Sequence, residues 1–130
     1  MTPPRRPRVL LADDDAQVAA AITRLLSVSC DVAGCVRDSD TLLETVARLR
    51  PEVVLLDFSL PGRLNALEAC RLMKATTPQV GIVAFTAHDD PDLERLAYEA
   101  GASGFVWKPQ AATDLMPAIQ AVIDRASREP

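Results

Sequence analysis

The chain alternates between short apolar runs and longer stretches in which apolar residues recur at helical spacing. Five apolar runs of four to six residues are each bounded by polar or turn-forming residues, a pattern typical of strands buried on both faces of a parallel sheet. The predicted strands cover residues 8–12, 31–36, 53–56, 81–85 and 104–107. The run at 31–36 has the weakest pattern of the five, and the run at 53–56 is the most apolar.

An amphipathic stretch follows each predicted strand. In the first, Val18, Ile22 and Leu25 are separated by three or four residues, which predicts a helix over 17–27. The next helix is predicted to start at a cap formed by Ser39 and Asp40 and to end before residue 51, a proline. The remaining helices are predicted at about 66–75, 91–100 and 114–125.

Three residues mark the limits of the later helices. Asp90 is expected to cap the fourth helix, because a proline follows it at the first helical position. Gly101 supplies the left-handed residue expected after that helix ends. Pro117 is predicted to lie in the first turn of the last helix, where a missing N–H group costs little.

Strand and helix thus alternate five times with short connections, which predicts an α/β fold with a doubly wound parallel sheet. Right-handed crossovers leave few topologies for such a chain, and the flavodoxin-like strand order 2-1-3-4-5 is common for five strands. We therefore expect five strands in that order, with five helices packed on the two faces.

Length and charge narrow the class of protein. The 130 residues correspond to one domain, predicted at 8–126 with a flexible N-terminal tail at 1–7 and a C-terminal tail at 127–130. The net charge of −4 gives no electrostatic footprint for direct binding to nucleic acid. Since no apolar run reaches the length of a membrane span or a signal peptide, a cytoplasmic location without membrane attachment is expected.

The three cysteines, Cys30, Cys35 and Cys70, fit a reducing compartment. Their number is odd and their spacing matches no zinc motif. They are predicted to be buried structural thiols, the common environment of free cysteine.

Polar residues follow four of the predicted strands: Asp13 and Asp14 the first, Asp57 the third, Thr86 the fourth and Lys108 the fifth. Ligands of open parallel sheets bind at the carboxyl ends of the strands, so these side chains are expected to converge. Three carboxylates repel one another unless a cation neutralises them, and oxygen ligands suit Mg²⁺. The lysine and the threonine hydroxyl could then hold an incoming phosphoryl group.

Each of these residues alone has an ordinary structural explanation, such as a solvated turn, a cap or a surface charge. The prediction rests on compatible groups at four different strand ends.

The strand ends and their following loops contain VLLADDD at 9–15, VVLLD at 53–57 with LPG at 60–62, FTA at 85–87 and AGASGFVWKP at 100–109. In these segments the sequence resembles the response-regulator receiver domains of two-component signal transduction, and it is most similar to receivers of the NarL/FixJ-type transcription regulators. The resemblance covers about residues 8–125.

The resemblance implies a role for each matching residue. Asp57 would be the phosphoacceptor and would also ligate Mg²⁺ or Mn²⁺. Asp14 would be a direct metal ligand, Asp13 would hold a metal-bound water, and the backbone carbonyl of Ser59 would complete the protein ligands. Thr86 and Lys108 would contact the phosphoryl oxygens.

The switch residues implied by the resemblance are Thr86 and Phe105, the aromatic residue that reorients when the family's switch is thrown. Phe105 lacks a tyrosine hydroxyl, so switching here would rest on ring packing, and an ordinary core role is the alternative. Ser59, Ala87 and His88 are expected to tune the lifetime of the acyl phosphate, although His88 could equally be an exposed loop histidine. Trp107 is interpreted as packing or partner surface.

One loop departs from the family pattern. Residues 62–67 form a loop that is one residue longer than usual, and Asn65-Ala66 replaces the family's Asp-Gly pair. We expect an altered loop shape beside the site, without loss of a functional residue.

The function implied is a phosphorylation-activated receiver in a phosphorelay. It would not be an enzyme beyond Mg²⁺-dependent self-phosphorylation and slow autodephosphorylation. The implied partners are a sensor histidine kinase or phosphotransfer protein, a downstream protein or fused output domain, and a second copy of the chain in a phosphorylation-dependent homodimer. The switched surface would comprise the fourth helix, fifth strand and fifth helix.

Other functions fit less well. A phosphatase with an aspartyl-phosphate intermediate would want a second carboxylate two residues after Asp57, where Ser59 stands. A nucleotide-binding module would need a glycine-rich loop after the first strand. A receiver-like interaction module that works without phosphorylation also remains open. So does the choice between a stand-alone regulator and the receiver part of a DNA-binding transcription factor.

Overall fold

The computed structural model describes residues 5–128, and their side chains as far as residue 126. The strands are β1 (Arg8–Ala12), β2 (Asp31–Val36), β3 (Val53–Asp57), β4 (Gly81–Thr86) and β5 (Gly104–Trp107). The helices are α1 (Ala16–Leu26), α2 (Ser39–Leu49), α3 (Ala66–Thr76), α4 (Pro91–Glu99) and α5 (Ala111–Arg128). A short 3₁₀ helix, Lys108–Gln110, leads into α5.

The five strands form one parallel sheet in the order β2-β1-β3-β4-β5. The predicted fold class and strand order are therefore confirmed. Because all strands run the same way, their carboxyl ends share one edge of the sheet. The residues that follow these ends are brought to that edge.

Each face of the sheet is covered by its own apolar core. Side chains alternate between faces along each strand, so neighbouring residues enter different cores. Leu10, Val54 and Ile82 pack toward α2, α3 and α4. Val9, Leu55 and Val83 pack toward α1 and α5. Burial of these apolar side chains on both faces is the main stabilising contribution to the sheet.

Of the two predicted helix caps, one is confirmed and one was wrong. Asp90 caps α4, as predicted, by accepting the Asp92 N–H. The prediction that Ser39 and Asp40 cap α2 was wrong, because Asp38 is the cap and its carboxylate accepts the Thr41 N–H.

Ser39 instead joins α2 to the loop between β3 and α3. Its side chain is fully buried, its N–H donates to the Pro61 carbonyl, and its hydroxyl accepts the Leu64 N–H. The backbone of Gly62 lies directly against Ser39 at a φ of +134°, a left-handed conformation that favours glycine. Ser39 therefore does not cap α2 because it makes a tertiary contact with the β3–α3 loop, which the local sequence does not reveal.

The last helix starts three residues earlier than predicted. Ala111 and Leu115 are both buried, so the apolar stripe of α5 begins at its first residue. Pro117 consequently lies inside the helix and not in its first turn, which corrects the prediction. Its missing N–H leaves the carbonyl of Thr113 without the usual intrahelical donor.

The described part of the expected N-terminal tail lies against the domain. Arg6 donates hydrogen bonds to the carbonyls of Ser27, Val28 and Cys30, and Pro7 is buried. At the other terminus α5 continues to Arg128, into the expected C-terminal tail. Residues 1–4 and 129–130 lie outside the described residues, and the predicted domain limits stay predictions.

The prediction of buried thiols holds for two of the three cysteines. Cys30 and Cys70 are buried, and burial raises the pKa of the Cys70 thiol to about 11. Cys35 is exposed, so the prediction was wrong there, because β2 is an edge strand. Among the described residues, no helix is both long and apolar enough to cross a bilayer.

We predict that Gly62→Ala lowers the free energy of unfolding by more than about 1 kcal/mol. A methyl group at this position would clash with the Ser39 hydroxyl, and the alanine would have to adopt a left-handed φ. Urea denaturation monitored by circular dichroism measures the change. Gly34→Ala is the matched control, since its new methyl would meet nothing nearer than 3.7 Å; an equal loss in both variants would contradict the argument.

Candidate functional site

The carboxyl edge of the sheet brings together the polar residues predicted to converge there. Asp13 follows β1, Asp57 ends β3, Thr86 ends β4 and Lys108 follows β5. The side chains of Asp13, Asp57 and Lys108 are in direct contact, while no hydrogen bond joins Thr86 to these three within the described residues. The strand ends therefore build a compact charged centre with the threonine beside it.

Lys108 lies between two buried carboxylates. Its Nζ is 2.9 Å from Asp13 Oδ2 and 3.3 Å from Asp57 Oδ2. The ammonium group also lies 5.2 Å from the centre of the Phe85 ring, within the range of a cation–π interaction. Only 18% of the lysine side chain is exposed, against 0% for Asp13 and 3% for Asp57. Water therefore screens these charges weakly, and their attraction exceeds that of a surface ion pair.

Two backbone N–H groups orient the carboxylates. Asp13 Oδ1 accepts the Asp15 N–H at 2.9 Å, and Asp57 Oδ1 accepts the Ser59 N–H at 3.0 Å. The second oxygen of each carboxylate remains turned toward Lys108. Each acid is thus held from one side by the backbone and from the other by the lysine.

The site has the ligand set of a hard divalent cation. Asp13, Asp14 and Asp57 each offer a carboxylate oxygen, and these atoms lie within 4.8 Å of one another. Asp13 and Asp57 are buried while Asp14 is exposed, so the cluster opens to solvent on one side. Oxygen ligands with room for waters fit a cation of the Mg²⁺ type.

The charges at this site change its proton affinities. Burial raises the pKa of the Asp57 carboxyl above its ordinary value, and the charge of Asp13 adds to the rise. The Ser59 N–H and Lys108 act in the opposite direction without cancelling the rise. For Lys108, burial favours the neutral amine, but the hydrogen bond to Asp13 and the charges of both aspartates raise its pKa overall.

Thr86 lies at the end of β4, completely buried. Its hydroxyl oxygen accepts the His88 N–H at 3.1 Å, which forms a tight turn into the loop toward α4. Ala87 and His88 are both exposed. The position of His88 fits the interpretation as a loop histidine, and the tuning roles of Ser59, Ala87 and His88 stay predictions.

Phe105 is half-buried on β5 and packs against the core that faces α2, α3 and α4. It occupies the strand position next to Ala84, two residues before the Thr86–Trp107 pair. The structure therefore places the predicted switch residues on the same face of the sheet.

Sequence reasoning missed the contact that Trp107 makes. Its indole N–H donates to the Ala87 carbonyl at 3.1 Å. Trp107 pairs with Thr86 across the two strands, which brings the indole to the loop that follows β4. The alternation of β5 places Trp107 on the face of Phe105, but nothing local in the sequence identifies its hydrogen-bond partner.

In the loop after β3, which differs from the family pattern, Asn65 has a structural role at the start of α3. Asn65 caps α3 by accepting the Glu68 N–H, and the Glu68 carboxylate accepts the Asn65 N–H in return. This reciprocal capping box stabilises the start of α3. Asn65, which stands where the family usually has an Asp-Gly pair, therefore ends the loop by capping α3.

Comparison with known proteins assigns the chain to a family. Residues 9–120 match the family model described as the response regulator receiver domain. The chain belongs to the response regulator receiver family. This match covers all five strands except the first residue of β1, and it includes each of the residues at the charged centre.

Curated relatives are longer proteins. The DNA-binding response regulator MtrA of Mycolicibacterium paratuberculosis is 35% identical over 125 residues, which cover 96% of this chain and 55% of that protein. The receiver chain thus spans about half the length of the curated relatives it matches.

Solved structures share the fold closely. The signal receiver domain of the putative response regulator NarL from Mycobacterium tuberculosis has a TM-score of 0.83 at 28% identity, covering 97% of this chain and 100% of that one. The isolated receiver domain of RcsB from Salmonella enterica serovar Typhimurium, determined with the phosphomimetic BeF₃⁻, has a TM-score of 0.85 at 26% identity. That match covers 92% of this chain and 90% of the other.

We predict that Asp57→Asn stabilises the protein at neutral pH when divalent cations are removed with a chelator. The pKa of Asp57 in the folded state is raised above its ordinary value of 3.8, so the wild type loses stability as the pH rises through the raised value. The neutral amide avoids this loss, and Lys108 keeps Asp13 as its partner.

Urea denaturation between pH 4 and pH 7 measures this effect. The advantage of the asparagine variant should grow as the pH rises. An advantage that is constant over this range, or that shrinks as the pH rises, would show that the buried charge of Asp57 is not its cause.

Proposed function

We propose that this receiver domain is a phosphorylation-activated switch of a two-component phosphorelay, with Asp57 as the phosphoacceptor. The observation that carries the proposal is the contact of Lys108 with two buried carboxylates, Asp57 and Asp13, while a carboxylate oxygen of Asp14 lies within 4.8 Å of theirs. The same centre combines a nucleophile, a fixed positive charge and a ligand set for a cation. A structural ion pair would not need the third, exposed carboxylate.

Asp57 is suited to act as the nucleophile. The Ser59 N–H holds Oδ1 of its carboxylate and so fixes the orientation of the group at the mouth of the site. A carboxylate oxygen of Asp57 attacks the phosphorus of a phosphohistidine. The new O–P bond forms as the P–N bond breaks, and the departing imidazole takes the electron pair of that bond.

Lys108 stabilises the charge that is transferred. Its ammonium group, 3.3 Å from Asp57, is close enough to follow the negative charge onto the phosphoryl oxygens. Because the lysine is largely buried, its charge acts in a weakly screened environment. Asp13 keeps Lys108 protonated and in position throughout the step.

Mg²⁺ or Mn²⁺ is the cofactor we propose; Asp14, Asp57 and the Ser59 carbonyl would hold it directly, and Asp13 would hold a water bound to it. When bound, such a cation neutralises the carboxylates and the incoming phosphoryl oxygens. Apart from this phosphoryl transfer and a slow autodephosphorylation, we propose no enzymatic activity.

The output of the switch is proposed to involve Thr86 and Phe105. The Thr86 hydroxyl donates a hydrogen bond to a phosphoryl oxygen, and the adjustment of β4 opens space for the Phe105 ring. Since both residues lie on the face that packs against α4, this rearrangement changes a surface of α4, β5 and α5.

A sensor histidine kinase or a phosphotransfer protein is the proposed donor, and an output domain or a separate protein is the proposed receiver of the signal. The relatives named as DNA-binding response regulators are about twice as long as this chain, which supports an output domain that binds DNA. A homodimer formed on phosphorylation and a cytoplasmic location belong to the same proposal. A phosphorylation-independent interaction module is the weaker alternative, because it gives no reason for the charged centre.

We predict that incubation with Mg²⁺ and acetyl phosphate adds the mass of one phosphoryl group to the protein. Mass spectrometry of the intact chain measures the gain, which Asp57→Ala should abolish. Asp124→Asn, which changes an exposed carboxylate on α5, is the control that should react normally. No gain in the wild type, or an undiminished gain in Asp57→Ala, would refute Asp57 as the phosphoacceptor.

A second prediction concerns the metal. Magnesium at a hundredfold excess over its dissociation constant should stabilise the wild type by about 2.7 kcal/mol, since a ligand that binds only the folded state raises its stability. Asp14→Asn should remove most of this gain, because it deletes the exposed carboxylate of the cluster. Thermal unfolding with and without magnesium measures the effect. Full stabilisation of Asp14→Asn would place the cation elsewhere.

A further inference from the structure

We propose that Trp107 is a positioning residue for Thr86 and acts through the peptide group that joins Ala87 to His88. This inference rests on the proposed function, because it concerns how Thr86 meets the phosphoryl group. It assigns Trp107 a part in phosphoryl recognition beyond packing or partner surface.

The peptide group between Ala87 and His88 is held at both of its polar ends. The Trp107 indole N–H donates to its carbonyl oxygen at 3.1 Å. The N–H of the same peptide group, that of His88, donates to the Thr86 hydroxyl oxygen, also at 3.1 Å. Within the part of the chain that the structure describes, loop residues 87–89 make no other hydrogen bond, so no other group on this loop replaces the indole.

The planarity of the peptide group links the two bonds. The carbonyl and the N–H of one trans peptide point in opposite directions and rotate together. The indole therefore fixes the direction of the His88 N–H by fixing the direction of the Ala87 carbonyl. Without the indole bond, the exposed Ala87–His88 peptide can turn toward solvent and leave Thr86.

The His88 N–H in turn decides what the Thr86 hydroxyl can do. A threonine hydroxyl has one proton to donate and two lone pairs that accept. When the His88 N–H occupies a lone pair, the proton of the hydroxyl is directed away from the loop and is available to a phosphoryl oxygen. Trp107 thereby orients the hydroxyl before phosphorylation, which lowers the cost of ordering it during the reaction.

Trp107 is well placed for this role by the sheet. It pairs with Thr86 in the register of β4 and β5, so the distance between the two residues is set by backbone hydrogen bonds. The ring is half-buried, and the short 3₁₀ helix that begins at Lys108 follows it directly. The same two strands therefore position Thr86, the indole and Lys108 relative to one another.

The test uses the affinity of the chain for BeF₃⁻ in the presence of Mg²⁺. Trp107→Phe keeps a large ring but removes the donor, and should weaken binding about two- to tenfold, the range of one hydrogen bond. Thr76→Val is the matched control. It removes a side-chain bond to the Leu72 carbonyl at the end of α3, and it should leave the affinity unchanged. Equal or tighter binding by Trp107→Phe would overturn the proposal.

A double-mutant cycle separates positioning from a general loss of structure. If the indole acts through the threonine hydroxyl, Trp107→Phe should weaken BeF₃⁻ binding in the wild type and in Thr86→Ser, but not in Thr86→Ala. Equal weakening in all three backgrounds would show that Trp107 merely supports the fold.

Hydrogen exchange distinguishes failure of this proposal from failure of the proposed function. In the unphosphorylated protein, the His88 amide should exchange faster in Trp107→Phe than in the wild type, and this measurement does not depend on whether the chain can accept a phosphoryl group. If wild type neither binds BeF₃⁻ nor gains phosphoryl mass, the proposed function fails. If the His88 amide exchanges at the same rate in both proteins, the link from Trp107 to Thr86 fails.

Discussion

The contact of Lys108 with Asp13 and Asp57 is the interaction on which the rest of the site depends. Two carboxylates with almost no exposure would be too costly to bury together without a partner charge. The lysine lies 2.9 Å from one and 3.3 Å from the other, and it enters from the far side of the site, after β5. Its position requires that β1, β3 and β5 end at the same level. The charged centre therefore requires the part of the sheet from β1 to β5, in which β3 and β4 lie between them.

The same arrangement leaves the site short of positive charge. Three carboxylates face one ammonium group, and the raised pKa of Asp57 reflects the remaining cost of burying its charge. A divalent cation would correct that imbalance, since it brings two positive charges to a centre that already holds the lysine. We interpret the site as built for its ligands and poorly balanced without them.

Much of the fold could be predicted from the sequence because its strands are strongly apolar and punctuated by acidic or turn-forming residues. All five strands, their order and the convergence of Asp13, Asp57 and Lys108 followed from these patterns. Two of the failures arise from tertiary structure. Asp38 caps α2 because Ser39 is taken by the β3–α3 loop, and Cys35 is exposed because its strand lies at the edge. The hydrogen bond of Trp107 likewise joins β5 to the loop after β4, and no local sequence pattern relates these two segments.

The two loops beside Asp57 differ in how firmly they are held, and this difference has a consequence for the direction of signalling. The loop after β3 is joined to α2 through the buried Ser39 and closes in the capping box of Asn65. The loop after β4 has two side-chain hydrogen bonds at a single peptide group. Deformation should therefore cost less on the β4 side of the site than on the α2 side. The fold makes the site asymmetric, so we expect a change at Asp57 to displace the segment toward α4 more readily than the segment toward α2.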